Sequence, residues 1–176
     1  FTVNIFGASH GPVVGVTLDG IPAGIPLSIE DFLPDLIRRQ GGNQKGTTPR
    51  KEDDIPQILS GLFNNHTTGA PLLITFDNKN TNSSAYDSVR AIPRPSHADY
   101  VAHQKYNGFE DYRGGGPFSA RLTTGIVAAG VIAKKALSYL GYAIQFQAAV
   151  TQVGGFDDIE EGLAYAISQK DTVGAI

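Results

Sequence analysis

The fold is decided by the stretch Asp111-Tyr112-Arg113-Gly114-Gly115-Gly116-Pro117-Phe118-Ser119-Ala120-Arg121, which leads directly into a small and apolar segment, residues 122–140. Consecutive glycines let a backbone adopt positive φ angles and approach a ligand closely. Ser119 is placed to cap the predicted helix, and a helix start offers free N–H groups and a positive dipole end to an anion. The stretch therefore predicts an anion-binding loop before a helix that is buried nearly all round. A plain tight loop before a core helix fits the same residues equally well.

The composition is that of a mildly acidic protein with one cluster of basic residues. The 176 residues carry a net charge of −3, which argues against general nucleic-acid binding. No apolar run reaches the roughly 18 residues that a membrane span needs. The absence of cysteine excludes disulfides and fits a reducing compartment, so we expect a cytoplasmic protein. Five of the 14 basic residues nevertheless fall within one short stretch, at Arg38, Arg39, Lys45, Arg50 and Lys51.

Hydrophobic patterning predicts a mixture of strands and helices. Ser28 and Asp31 resemble a capping box and predict a helix through about Arg39, with a kink or a later start at Pro34. Pro95 and Ser96 predict a further helix that Ser96 caps. The other predicted elements are a hairpin of strands 1–6 and 13–18, a buried strand 71–76, an alternating strand 142–150 and a helix 159–168.

Two histidines are candidates for acid–base chemistry. His10 lies in the turn Gly7-Ala8-Ser9-His10-Gly11-Pro12, where small neighbours would let a ligand reach it. The same turn satisfies the nucleophile-elbow pattern of serine hydrolases, but that elbow requires a helix after the serine, and a β-branched run follows here. His97, between Arg94 and Asp99, is the best general acid or base on chemistry alone, although a structural histidine fits equally well. The four histidines show no zinc-ligand spacing, and no metal site is predicted.

Two long polar loops accompany these motifs. Residues 41–50 are rich in glycine and basic side chains, which is typical either of a solvated loop or of one ordered by an anionic ligand. Residues 77–88 contain little that can enter a core, and they are predicted to form a loop that can act as a lid.

Several of these motifs, in order and with matching spacing, resemble the chorismate synthase family. Order and spacing agree from Phe6 to Gly130. The matching pieces are Phe6-Gly7-Ala8-Ser9-His10-Gly11, residues 19–26, Arg38-Arg39, residues 48–54, Leu59-Ser60-Gly61, Arg94-Pro95-Ser96-His97-Ala98-Asp99-Tyr100, Lys105-Tyr106, Asp111-Tyr112-Arg113-Gly114-Gly115-Gly116 and Val127-Ala128-Ala129-Gly130.

The resemblance implies an α+β fold, a β-α-β sandwich in which antiparallel sheets pack on central helices, and a homotetramer. Since family members are roughly twice this length, it implies that residues 1–176 are the N-terminal part of a single domain whose C-terminal half is absent. The implied reaction converts 5-enolpyruvylshikimate 3-phosphate to chorismate and phosphate by a 1,4-elimination that needs reduced FMN. Some members also reduce their flavin with NADPH, and the sequence leaves that open.

The resemblance also implies roles for individual residues. His10 resembles the histidine that protonates the departing phosphate, and His97 the one that protonates reduced flavin. The residues implied to bind cofactor are Arg39, Lys45, Pro117, Phe118 and Ser119, and those implied to bind substrate are Ser9, Arg38, Arg50 and Arg121.

The chain departs from the family pattern at several of these places. Ala8 replaces a common acidic residue, and Gln40 replaces an arginine. Lys45 keeps the charge of an arginine but lacks the guanidinium that binds an anion through two parallel hydrogen bonds. Pro117-Phe118 replaces a common Arg-Ser, and Leu122 replaces a frequent glutamate. These departures keep open a second hypothesis, a non-catalytic module that binds flavin or phosphate, and the absence of the C-terminal half keeps open an inactive fragment. A Rossmann or P-loop protein is disfavoured, because neither glycine signature is present in its required context.

Overall fold

The computed structural model describes residues 1–41, 50–87, 90, 92–153 and 155–168. Within them the chain has an α+β fold in which an antiparallel sheet packs on helices, as predicted. None of the helices in these ranges is long and apolar enough to cross a membrane.

The main sheet contains four antiparallel strands. The predicted hairpin is confirmed as β1 (Thr2–Gly7) and β2 (Val13–Asp19). The chain continues through β3 (Gln57–Ser60), a two-stranded ribbon of β4 (Leu62–Phe63) and β5 (His66–Thr67), and β6 (Leu72–Asp77). The strand order is β1-β2-β6-β3, so β2 and β6 are central. Alternate residues of both central strands are fully buried, as a period of two requires for one core-facing side: Val14, Val16, Leu18, Leu72, Ile74 and Phe76.

The first helix, α1 (Leu33–Arg39), begins later than its capping signal. Ser28 and Asp31 form the predicted capping box, in which the Ser28 N–H donates to the Asp31 carboxylate at 2.8 Å, but the box caps a separate 3₁₀ turn, Ile29–Asp31. Pro34 then occupies the first turn of α1, where its missing N–H costs no hydrogen bond.

The second helix, α2 (Asp99–Lys105), is not capped by Ser96, and that prediction is wrong. Ser96 has a φ of +62°, and the helix begins after Ala98 without a side-chain cap. The aspartate that opens α2 is bound instead by Arg94, whose backbone N–H and guanidinium hold its carboxylate.

The long helix, α3 (Thr123–Tyr139), follows the glycine stretch as predicted. The Ser119 hydroxyl accepts a hydrogen bond from the Arg121 N–H at 3.2 Å and caps a 3₁₀ turn, Ala120–Leu122, that runs into α3. One side of α3 packs on β2 and α1. The prediction of burial all round is wrong, because Ile126 is 51% exposed and Gly130 is also exposed. They belong to an apolar face that includes Phe1 and, in the first strand, Val3 and Ile5.

The C-terminal region confirms one predicted element and contradicts another. The predicted helix is present as α4 (Ile159–Ser168). The strand predicted over residues 142–150 is wrong: these residues are exposed and pair with no other strand in the described part of the chain. Alternating side chains are not sufficient for a strand, because the backbone also needs a partner for its hydrogen bonds.

The glycine stretch adopts the positive φ angles expected of it. Gly114, Gly115 and Gly116 have φ values of +60°, +84° and +54°. A Cβ on Gly116 would lie 2.0 Å from the carbonyl oxygen of Asp111, whereas a Cβ on Gly115 would meet nothing closer than the Ser119 Cβ at 3.8 Å. The loop therefore requires glycine at position 116 for space as well as for conformation.

This difference predicts the outcome of two neighbouring substitutions in the ligand-free, full-length protein. Gly115→Ala should lower the free energy of unfolding by about 1–2 kcal/mol, the cost of a positive φ. Gly116→Ala should lower it by more than about 3 kcal/mol, because a backbone clash adds to that strain. Urea denaturation measures both values, and equal losses would contradict the clash.

Candidate functional site

The turn after β1 is docked onto the glycine stretch by a buried serine. Ser9 is 1% exposed; its backbone N–H donates to the Gly116 carbonyl at 3.1 Å, and its hydroxyl donates to the Gly114 carbonyl at 2.8 Å. The neighbouring His10 ring lies so close to Gly114 that a Cβ there would be 2.5 Å from its Nε2 atom. The glycine stretch thus holds the turn and leaves room for the imidazole.

Asn78, the residue after β6, joins this turn to two arginines. Its amide nitrogen donates to the carbonyls of Ala8 at 3.0 Å and Gly11 at 2.9 Å. Its amide oxygen accepts from Arg121 Nε at 2.9 Å and from Arg50 at 3.4 Å. Both the nitrogen and the oxygen of the Asn78 side-chain amide are therefore hydrogen-bonded. No signal in the sequence distinguished Asn78 from the other polar residues of its loop, and its role emerges only from the fold.

A cavity of about 320 Å³ opens beside these contacts. Among the described residues, its charged lining consists of three arginines and two carboxylates, a net formal charge of +1 before His10 is counted. A cavity with this balance favours an anion. The residues of the lining that bear on its chemistry are His10, Arg39, Gln40, Arg50, Glu52, Asp54, Tyr86, Gly114, Ser119 and Arg121.

Asp54 lies between two of the arginines. Its carboxylate accepts from Arg39 at 3.4 Å and from Arg121, whose side chain is 6% exposed. The Arg121 guanidinium also donates to Asn78 at 2.9 Å and to the Asp77 carbonyl at 3.2 Å. Protein acceptors therefore engage every nitrogen of the Arg121 guanidinium and fix it at the cavity wall.

Arg39 reaches the cavity from the last turn of α1. Besides Asp54, its guanidinium donates to the Ala120 carbonyl at 3.0 Å and to the Thr123 hydroxyl at 3.2 Å. Burial lowers the pKa of this guanidinium, Asp54 acts against the shift, and the nearby arginines at 121 and 50 add to it. The site thus concentrates positive charge away from bulk water.

Glu52 anchors the third arginine. It accepts from Arg50 at 2.7 Å and from the backbone N–H groups of Lys79 and Asn80 at 2.9 and 3.1 Å. Burial acts to raise the pKa of Glu52, but these donors outweigh it and the pKa is lowered. Arg50 in turn donates to the Ser9 carbonyl at 2.9 Å. The first part of the predicted lid, residues 77–80, is thus tied to the site by hydrogen bonds.

His10 lines the cavity with its imidazole ring. Its Nδ1 atom lies 3.0 Å from the Ser83 hydroxyl. Burial lowers the pKa of His10, and the positive charges of Arg50 and Arg113 lower it further, against the opposing effect of Asp111. An anion bound in the cavity would act in the opposite direction and favour protonation.

An aromatic contact links His10 to the segment that carries His97. The Tyr86 ring meets the His10 ring edge-on, with centroids 5.1 Å apart, and Arg94 lies over the same tyrosine at 5.4 Å. Arg94 forms two hydrogen bonds of 2.8 Å with Asp99, which hold the pKa of that carboxyl at about 2. His97 itself is exposed, with Nδ1 3.1 Å from the Pro95 carbonyl, and does not line the first cavity.

Comparison with known proteins identifies the family of the chain. A sequence model described as chorismate synthase matches residues 1–175. The chain belongs to the chorismate synthase family. A curated chorismate synthase of Chitinophaga pinensis is 62% identical over 176 residues, which are 100% of this chain and 52% of that protein. One of Thermococcus kodakarensis is 49% identical over 142 residues, 81% of this chain and 40% of that protein. The chain therefore spans about half the length of the curated relatives it matches.

A solved structure supports the same assignment. A crystal structure titled as chorismate synthase shares 32% sequence identity with this chain and superposes with a TM-score of 0.53. The match covers 80% of this chain and 35% of that one. The α+β fold is thus that of a chorismate synthase.

The residues that the family resemblance implied are only partly brought together. The first cavity contains His10, Arg39, Arg50, Ser119 and Arg121, and Ser9 lies directly behind it. The Arg38 side chain is 81% exposed and pairs with Asp35 at 3.1 Å, so Arg38 lies outside this lining. Lys45 lies outside the described residues.

The expected flavin-contacting positions divide between two cavities. Ser119 lines the first, whereas Phe118, which is 45% exposed, lines a second cavity of about 220 Å³ together with Gly115 and Asp99. Pro117 is exposed and lines neither cavity. Across the described residues, no group of three or more His, Cys, Asp or Glu side chains is arranged to hold a metal ion.

The buried ion pairs predict a large effect of one substitution in the full-length protein. Asp54→Asn leaves Arg121 and Arg39 without their shared counter-charge and should lower the free energy of unfolding by about 3–5 kcal/mol at neutral pH. Asparagine tolerates the positive φ at this position, +52°, at least as well as aspartate, so backbone strain does not contribute.

The adjacent Asp53 provides a matched control. It pairs with Lys79 at 3.0 Å, but both side chains are more than 60% exposed. Asp53→Asn should therefore leave the unfolding free energy nearly unchanged in the same urea denaturation. Equal effects of the two substitutions would show that the buried pair does not stabilise the site.

A second prediction concerns the titration of His10 in the ligand-free, full-length protein. Its pKa should lie below the ordinary value of 6.5, because burial and two arginines disfavour the charged ring. Between the lowered pKa of His10 in the folded protein and its ordinary value of 6.5, the unfolded chain binds more protons than the folded one. This group therefore lowers the stability of the protein as the pH falls through that range. NMR titration of the histidine ring protons measures the pKa directly.

Arg113→Gln should raise the pKa of His10, because it removes a positive charge and frees the opposing carboxylate of Asp111. The control is Lys134→Gln, whose amino group pairs with Asp35 and does not act on His10. A His10 pKa that is unchanged or lower in Arg113→Gln would contradict the electrostatic assignment.

Proposed function

We propose that the full-length protein converts 5-enolpyruvylshikimate 3-phosphate to chorismate and phosphate by a 1,4-elimination that requires reduced FMN. The observation that carries the proposal is the placement of His10 above the glycine stretch, at the wall of a cavity whose arginines outnumber its carboxylates. The substrate carries a phosphate and two carboxylates, for which arginine is a suitable partner. In the reaction the bond between the ring carbon and the phosphate oxygen breaks, and the ring loses a proton.

His10 is the proposed proton donor to the departing phosphate. In the free site its pKa is lowered, so the ring is mostly neutral near pH 7. The negative charge of a bound phosphate offsets the arginines and raises the pKa, which favours protonation of the ring when a proton is needed. Activity that depends on this acid falls as the pH rises through its pKa in the complex.

The glycine stretch is a suitable contact for the flavin. The Gly115 backbone is open, with no atom closer than 3.8 Å to the place of a Cβ, and the Phe118 ring beside it is half-exposed. Exposed backbone N–H groups are suited to bind the phosphate of the cofactor, and an aromatic side chain is suited to stack on its ring system. When bound, reduced flavin supplies electron density to the allylic C–O bond. Ser119 and Arg39 are the proposed polar contacts, and His97 is the proposed proton donor to the flavin.

The remaining properties of the family complete the proposal. Residues 1–176 are the N-terminal part of one domain, and the apolar face formed by Phe1, Val3, Ile5 and Ile126 is the surface that its other half covers. The support is that this face is exposed here and that the curated relatives are about twice as long. The assembly is a homotetramer in the cytoplasm, and NADPH is a reductant to be tested for the flavin.

The decisive assay uses the full-length protein under anaerobic conditions. Protein supplied with reduced FMN and 5-enolpyruvylshikimate 3-phosphate should release phosphate and chorismate together. His10→Ala should lower kcat by about 10²–10⁴-fold, the usual contribution of a general acid, and His97→Ala should lower it by a comparable factor.

The control for this assay is His66→Ala. His66 is exposed in β5, and among the described residues its side chain contacts only the Asn64 carbonyl by a hydrogen bond. It should retain wild-type turnover. Binding of FMN and substrate without turnover by the wild-type protein would favour the non-catalytic module instead.

A further inference from the structure

The proposed function leaves open what orients the His10 ring. An imidazole has two nitrogens, and only one of them can deliver a proton into the cavity at a time. Nε2 lies over Gly114, which lines the cavity, whereas Nδ1 lies 3.0 Å from the hydroxyl of Ser83. Ser83 belongs to the loop after β6 and is 73 residues away in the chain. The contact therefore depends on the tertiary fold.

Within the described part of the chain, the Ser83 hydroxyl has His10 as its only hydrogen-bond partner. The ring is also fixed by Tyr86, which meets it edge-on at an interplanar angle of 81°. Arg50, Arg113 and Asp111 act on the ring through their charges rather than through hydrogen bonds. Ser83 is thus the side chain that distinguishes one nitrogen from the other.

We propose that Ser83 is the positioning residue of His10: its hydroxyl accepts a hydrogen bond from Nδ1–H and so reserves Nε2 for proton transfer. This proposal rests on the proposed function. In the protonated ring, Nδ1–H donates to Ser83 and Nε2–H faces the leaving phosphate oxygen. When the C–O bond breaks, the phosphate takes the Nε2 proton, and the ring is left as the neutral Nδ1–H tautomer, which is still bonded to Ser83. No ring flip or change of partner is needed.

The alternative tautomer shows why the contact matters. Neutral imidazole in water prefers to carry its proton on Nε2. Without an acceptor at Nδ1, the ring therefore adopts the Nε2–H form and can rotate. A fixed acceptor at the second nitrogen is a recurrent means of setting the tautomer and orientation of histidine.

The test compares Ser83→Ala with Ser84→Ala in the full-length protein. The Ser84 hydroxyl bonds the Asn82 side chain at 2.8 Å and is exposed, so Ser84→Ala removes a hydroxyl next to the contact without touching His10. Ser83→Thr retains a hydroxyl at the same position. Each variant is checked by thermal denaturation, and Ser83→Thr keeps the test valid if the alanine variant folds poorly.

The first readout is the ¹⁵N chemical shifts of the two His10 nitrogens, which report the tautomer and need no turnover. The wild type, Ser84→Ala and Ser83→Thr should show the Nδ1–H form at a pH above the pKa of His10, and Ser83→Ala should shift toward Nε2–H. An unchanged tautomer in a folded Ser83→Ala protein would overturn the proposal, as would an Nε2–H wild type.

The second readout is the pH dependence of kcat with reduced FMN and substrate. Ser83→Ala should lower kcat roughly 10- to 100-fold with little change in KM, the range expected for a lost hydrogen bond to a charged group. Ser83→Thr should recover most of the loss, and Ser84→Ala should match the wild type. An equal loss in Ser84→Ala would overturn the proposal.

The two readouts separate the failure of this proposal from failure of the proposed function. A wild-type protein without turnover would refute the function, while the tautomer shift in Ser83→Ala would still support the positioning role. A wild-type protein with full turnover, together with a Ser83→Ala variant that keeps both tautomer and kcat, would refute the positioning role alone.

Discussion

The site depends on one buried ion pair, between Arg121 and Asp54. Both side chains are almost completely removed from water, and an ion in that position is stable only if its partners satisfy it fully. Arg121 meets this condition by binding Asp54, Asn78 and the Asp77 carbonyl at once. Through Asn78 the pair fixes the turn that carries His10, and through Asp54 it fixes Arg39. The position of the proposed general acid, His10, and that of the arginines in the cavity wall therefore have the same physical origin.

The features that could be predicted from sequence are those encoded by neighbouring residues. Three consecutive glycines require positive φ, Ser119 caps the turn that follows it, and alternating apolar residues define the central strands. The features that could not be predicted are pairings across the chain. Asn78 and Ser83 belong to a polar run whose members look equivalent until the fold brings the His10 turn against two of them. Arg38 and Arg39 are likewise equivalent in sequence, but successive helical residues point about 100° apart, and only Arg39 reaches the cavity.

The two wrong predictions about exposed surface share a cause. The apolar pattern of α3 predicts a packing partner on both sides of the helix, and the alternation of residues 142–150 predicts a neighbouring strand. The described residues supply a partner for one side of α3 and no paired strand for residues 142–150. An apolar periodicity indicates that one face of an element is buried in the complete protein, but it does not identify the part of the protein that buries it. Under the proposed domain organisation the other half of the chain covers Ile126 and its apolar neighbours, so the pattern and the structure agree.

The glycine stretch also separates two environments, which bears on the proposed division of work between the histidines. Gly114 and Ser119 line the cavity that contains His10, whereas Gly115 and Phe118 line the second cavity beside Asp99. Asp99 begins α2, two residues after His97. Because Gly114 lines one cavity and Gly115 the other, one stretch of backbone can contact two ligands. Under the proposed function, His10 donates its proton to the phosphate in the first cavity, and His97 lies two residues before Asp99, which lines the second. Tyr86, in contact with both His10 and Arg94, holds the two histidine-bearing segments in a fixed relation.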